Sequence, residues 1–82
     1  MDMKHEMMRF FLERFLWQQC GGPGRFQKLQ EDWLWSFRDD EVERRQQTKN
    51  VFMRHSQPDL GVEGIQRYST QYLYFVDEEI EV

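Results

Sequence analysis

Cysteine is nearly absent from this 82-residue chain: Cys20 stands alone, so no intrachain disulfide can form. A reducing compartment therefore fits better than a secreted one. Glycine and proline are scarce, five and two, and between Arg25 and Ser56 there is neither. So long a stretch without a breaker excludes a loop-rich middle and points to helix. No apolar run approaches the ~18 residues a membrane span needs. With 32% charged against 39% hydrophobic residues, a membrane-spanning protein is excluded and a wholly disordered one disfavoured. The apolar start is broken by Arg9, Glu13 and Arg14 and lacks a small-residue cleavage site, so it does not read as a signal peptide. The expectation is one small, complete domain over residues 1–82, located in the cytoplasm.

Aromatic residues are plentiful: seven Phe, three Trp and three Tyr. A chain of this mass buries roughly 9,500 Å² on folding, and at ~200 Å² each these rings supply about a quarter of it. A self-standing core is feasible without metal or disulfides. Charge is unevenly placed within the net −4. Residues 1–24 balance, 25–54 carry one excess positive charge, and 55–82 hold Arg67 alone against six acids. The acidity belongs to the C-terminal third, and above all to segment 77–82. Such an end is attracted to basic protein surfaces and mildly repelled by nucleic acid.

Three helices follow from caps and periodicity, over 3–20, 23–37 and 40–55. Asp2 is placed to cap the first, and Gly21-Gly22 to stop it. At 100° per residue, Trp17, Phe10, Met3, Met7, Phe11, Phe15, Met8 and Leu12 sweep roughly 220°, far wider than an ordinary apolar stripe. The clean polar side is narrow (His5, Arg9, Glu6, Glu13), so this helix is expected to pack on two surfaces, one its own core and the other a partner or a second copy. Pro23 suits the first turn of the next helix. There Phe26, Leu29, Trp33 and Phe37 recur at +3, +4, +4 as an inward stripe, which leaves Trp35 on the opposite side. Reading Trp33–Phe37 as a strand, within an α+β fold, would put Trp33, Trp35 and Phe37 on one face instead.

The third helix contains one aliphatic residue, Val42, before Val51. Asp40 with Glu43 resembles a cap, acids come early and bases late, and Asp40–Arg44 and Glu41–Arg45 are i,i+4 pairs. This segment is expected to bury little until Val51, Phe52 and Met53. After the loop around Pro58 and Gly61, Tyr68, Thr70, Tyr72, Tyr74 and Val76 alternate with Ser69, Gln71, Leu73 and Phe75. Their β-branched and aromatic content predicts a C-terminal strand or short hairpin over 67–82. A helical stripe (Val62, Ile65, Tyr68 or Ser69, Tyr72, Val76) competes, and a lone strand could not satisfy its own backbone. The fold class is thus mainly α with one C-terminal strand, the alternatives being α+β or a four-helix all-α domain.

Chemistry-bearing motifs are sparse. Cys20 with His5 or His55 is the one conceivable nucleophile–base pair, and Cys20 falls at a helix C-terminus, where the dipole disfavours a thiolate. No Cys or His spacing matches a zinc site, and the acids at 77–81 lack the alternation and central glycine of a calcium loop. Gly21–Gly24 lacks the Lys-Ser/Thr of a phosphate loop. No catalytic residue, metal ligand or cofactor is assigned, and an enzyme is the weak reading. Arg38, Arg44, Arg45, Lys49 and Arg54 would make a phosphate-tracking strip for a nucleic-acid-associated regulator using residues 38–54, but Asp39, Asp40, Glu41 and Glu43 interrupt it. The ending Ile80-Glu81-Val82 weakly resembles a carboxylate-capture motif. The first helix carries as much acid as base on its polar side, wrong for an anionic membrane surface. The leading expectation is a non-enzymatic interaction module that docks on a larger protein as adaptor, small subunit or inhibitor. Its anchors would be Trp35, Tyr72 and Tyr74, with Arg44 and Arg45 adding charge complementarity, residue types that dominate interface energetics.

Overall fold

In the computed structural model, which describes the backbone of residues 3–80 and the side chains at 10 and 13–76, the chain forms four helices. They are α1 (Met3–Cys20), α2 (Pro23–Trp35), α3 (Glu41–His55) and α4 (Gly61–Ile80), with a short 3-10 turn at Pro58–Leu60 before the last. Asp2 as a cap, the side chains of the acidic segment 77–82, the ending Ile80-Glu81-Val82, His5, and the apolar side chains of Met3, Met7, Met8, Phe11 and Leu12 lie outside the described residues.

The glycine pair ends α1 by a specific geometry. The Gly22 N–H donates to the Trp17 carbonyl at 2.6 Å and the Gly21 N–H reaches that of Gln18 at 3.3 Å, the two bonds of a Schellman stop. Both residues take positive φ, 97° and 130°, which side chains rarely tolerate. Pro23 then opens α2 with Gly22 as its N-cap. α2 buries Phe26, Leu29 and Trp33, the stripe that the spacing predicts.

The helix stops at Trp35, two residues earlier than periodicity implies. Ser36 turns back on Asp32, its N–H and its hydroxyl both bonding the Asp32 carbonyl, at 3.0 and 2.7 Å. Phe37 therefore loses the helical phase that would have carried it inward and stands half exposed. The strand reading of Trp33–Phe37 fails for the same reason: Trp33 is inside and Trp35 outside.

α3 starts as its charge order implies, the Asp40 carboxylate accepting the Glu43 N–H at 3.0 Å. It buries more than its single early aliphatic residue foretells. Arg44, Gln47 and Thr48 are all inside, together with Val51 and Phe52, whereas Met53 is exposed. Thr48 and Gln47 each have an identifiable use. Trp33 Nε1–H donates to Thr48 Oγ1 at 3.0 Å, Thr48 Oγ1–H to the Arg44 carbonyl at 2.8 Å, and Gln47 Nε2 to the Trp33 carbonyl at 2.7 Å. Polar side chains are thus cross-links between α2 and α3.

The predicted C-terminal strand or hairpin is a helix, so the four-helix alternative describes the fold. A strand puts Tyr72 and Tyr74 on one face, but in α4 they point apart: Tyr72 is 5% exposed and Tyr74 66%. Ser69, Tyr72 and Phe75 are buried, with Ile65, Tyr68 and Val76 half-buried beside them. That is a 3-4 spacing, which puts the stripe onto α2 and α3 while the helix satisfies its own backbone. Tyr72 sits at the centre, its ring 5.2 Å from Trp33, 5.4 Å from Phe52 and 6.3 Å from Phe26, the first and last edge-on.

α1 is placed differently from its apolar arc. Leu16 and Cys20, which are not in that arc, are fully buried, whereas Phe10, which is, lies exposed. Phe15 reaches Tyr68 of α4 with ring centres 5.0 Å apart. The tight turn at Gly21-Gly22 fixes which side of the last turns meets α2. The connector after α3 reinforces it, with the Gln57 N–H donating to the Gln19 carbonyl at 2.7 Å.

Candidate functional site

The α2–α3 corner is where the described surface is least finished. Leu34, Trp35, Phe37 and Val42 are all exposed there, and Trp35 shows 92% of its surface to solvent. Helix spacing accounts for the first pair: with Phe26, Leu29 and Trp33 inward, Leu34 and Trp35 must face out. Large apolar side chains clustered in one short segment are more informative than the same residues scattered singly.

Phe37 is held from beneath by Arg44. The guanidinium carbon of Arg44 lies 4.6 Å from the Trp33 ring centre and 4.4 Å from that of Phe37, a cation between two aromatic faces. Arg44 is only 7% exposed. Expected at a partner surface, it instead ties the corner loop to the core. Tyr72, also expected as an anchor, is likewise inside. Trp35 and Tyr74 are exposed, on different helices, and Arg45 is exposed and paired with Glu41 at 2.7 Å. Periodicity placed Phe37 in the core and did not single out Leu34 or Val42. Leu34, beside Trp35 and off the same stripe, was recoverable from spacing.

The arginine strip is not assembled as a phosphate track. Arg44 points inward, Arg45 is on Glu41, and Arg54 is on Asp32. A polar cleft of about 330 Å³ does open between Arg38, Glu43, Gln46, Gln47, Asn50 and Arg54. Much of its lining is engaged within the protein: Gln46 bonds Asn50 at 3.1 Å, Gln47 bonds the Trp33 carbonyl, and Arg54 bonds Asp32. Cys20 is buried, and burial pushes its thiol up to about 11, so it is no nucleophile at neutral pH. Among the described residues no three His, Cys, Asp or Glu side chains group as metal ligands, and no helix is long and apolar enough to cross a membrane.

One charged cluster is structural. Asp32 Oδ2 accepts from His55 Nε2 at 2.9 Å and from Arg54 Nε and Nη2 at 3.1 and 3.0 Å, joining α2 to the end of α3. The His55 hydrogen bond, aided by Arg54, holds the Asp32 carboxyl below its ordinary value. A carboxyl depressed in the fold adds stability that is present above its unfolded value near 4 and lost as pH falls through the lower, folded one. Asp32→Asn is therefore expected to cost about 1 kcal/mol at neutral pH, the groups being partly exposed. It should also flatten the loss of stability below about pH 4, as read by urea unfolding across pH. An unchanged acid limb would show that the cluster contributes nothing.

Compared with known proteins, the chain matches no family model, no curated protein and no solved structure.

Proposed function

We propose that this protein is a non-enzymatic docking module that acts by covering or bridging a surface of a larger protein. The observation that carries the reading is Trp35, whose ring stands 92% exposed on a helix that already has a complete inward stripe. A tryptophan so placed contributes nothing to the core and exposes apolar surface to water, a cost that a partner's pocket would remove. Leu34, Phe37 and Val42, exposed in the same segment of the chain, add further apolar surface. Phe37 is pre-positioned by its stack on Arg44, which lowers the ordering cost of binding. Tyr74 and Arg45 are also exposed.

The test separates binding from folding. Trp35→Ala should weaken capture of the partner from lysate at least about tenfold, as expected for a central aromatic anchor. The melting temperature should change little. A melting temperature lowered by many degrees would show that Trp35 belongs to the fold, and undiminished capture would move the interface elsewhere.

A further inference from the structure

We infer that the polar cleft beside α3 binds a small zwitterion of the free amino acid class, its carboxylate met by Arg38 and Arg54 and its ammonium by Glu43. The site uses none of the apolar residues near Trp35, so it goes beyond the docking reading and stands or falls separately. Glu43, Gln46, Gln47, Asn50 and Arg54 recur at 3-4 spacing along one side of α3, and with Ser36 and Arg38 they line about 330 Å³. All of the lining is polar or charged, and the volume is near the lower end for small-molecule sites, so the occupant is small and polar. Arg38 and Glu43 line this cleft without pairing: neither side chain has a hydrogen-bond or ion-pair partner among the described residues. Arg54 gives Nε and Nη2 to Asp32 Oδ2, which leaves its Nη1 uncommitted. Unpaired charges of both signs around one volume are complemented by a molecule that carries both. A simple anion would face Glu43, and a simple cation would face two guanidinium groups. Gln47 adds an independent sign that a donor belongs here. It is 8% exposed, and its amide N–H groups go to the Trp33 carbonyl at 2.7 Å and Ser36 Oγ at 3.2 Å, which fixes its orientation. Its Oε1 is left out of water with no partner among the described residues. An ammonium brought to this wall is the kind of donor that such an acceptor lacks. Gln46 Nε2 donates to Asn50 Oδ1 at 3.1 Å, which leaves Gln46 Oε1 and Asn50 Nδ2 as a free acceptor and a free donor for the rest of the molecule.

L-glutamine is a suitable probe, because its side-chain carboxamide matches the free acceptor and donor of Gln46 and Asn50. Two relatives remove one charge each: glutaramate lacks the α-amino group, and γ-aminobutanamide lacks the carboxylate. The reporters are the side-chain amide signals of Gln46, Gln47 and Asn50 in nitrogen-15-labelled protein. L-glutamine should shift them saturably with a Kd on the order of 1 mM, and each relative should bind at least about threefold more weakly. Glu43→Gln should abolish the advantage over glutaramate, and Arg38→Gln the advantage over γ-aminobutanamide. Both substitutions fall on exposed side chains without partners, so the melting temperature should hardly move. No saturable shift by tens of millimolar L-glutamine would overturn the inference, and so would equal binding of the three probes. Inorganic phosphate binding more tightly than L-glutamine would overturn it in favour of a plain anion site. Preferences that survive both substitutions would place the binding elsewhere and overturn it as well. Trp35→Ala should bind L-glutamine as the parent does, so the failure of this site and the failure of the docking reading are separate results.

Discussion

Trp33→Ala is expected to lower the stability by about 3–5 kcal/mol, the range for truncating a large buried aromatic. A domain of this size has only ~4–12 kcal/mol in total, so the variant should melt at least ~15 °C lower or fail to fold. The size of the effect follows from what the ring touches. Trp33 is 2% exposed, stands edge-on to Tyr72 at 5.2 Å, donates to Thr48 at 3.0 Å, and gives one face to Arg44 at 4.6 Å. Alanine leaves a cavity at the meeting point of α2, α3 and α4. It also strips one aromatic face from a guanidinium that is almost out of water, and leaves the Thr48 hydroxyl without its indole donor. Trp33→Phe retains most of the packing and should cost nearer ~1 kcal/mol, mainly the lost hydrogen bond. Two residues on, Trp35→Ala should leave the urea midpoint almost unmoved. If the two alanine variants were equally destabilised, the inside–outside assignment of α2, and the docking surface with it, would be wrong.

Much of this arrangement is legible in the residues. Gly21-Gly22-Pro23 marks one helix ending and the next beginning, and Asp40 with Glu43 marks the start of α3. The spacing of Phe26, Leu29 and Trp33 both sets the core stripe of α2 and expels Trp35. What misleads has definite physical causes. From Tyr68 to Val76 every residue is uncharged, so no charged position picks between period two and period three to four. The choice is made by tertiary contact, when Tyr72 meets rings from α2 and α3 that are distant in sequence. Arg44 is misplaced because sequence reading gives arginine to solvent or to an acidic neighbour. Its planar guanidinium can instead stack between two rings with its charge still delocalised and hydrogen-bonding capacity at its edges. Phe37 is misplaced by the Ser36 turn, a two-residue change in helix length that rotates everything after it. The α1 arc is too wide to have a single direction. Only the glycine turn decides which part of it faces inward.

The second large effect is an alkaline one, from two buried acids on different helices. Cys20, almost wholly buried, has its thiol pushed up to about 11 from an ordinary value of 9.0. Tyr72 is pushed up to about 12 from 10.0, with desolvation outweighing a hydrogen bond from Gln30 and the nearby positive charge of Arg44. In both, burial penalises the ionised form. The sign is fixed by which state keeps the proton. Above the unfolded values the unfolded chain releases protons that the folded chain retains, so unfolding gains. The contribution is complete below those values and lost as pH rises toward the folded ones. Cys20 erodes stability from about pH 9 to 11 and Tyr72 from about pH 10 to 12, each by roughly 2–3 kcal/mol at 1.36 per unit. The combined loss rivals the whole stability of a domain this small, so the fold should give way between about pH 10 and 12. Urea unfolding measured from pH 8 to 12 would resolve the two steps. Cys20→Ala should flatten the lower part of the decline and Tyr72→Phe the upper, each at a small cost at pH 7. A double variant that declines as steeply as the parent would place the alkaline weakness elsewhere, and with it deny that Cys20 and Tyr72 are as deeply enclosed as the four-helix core requires.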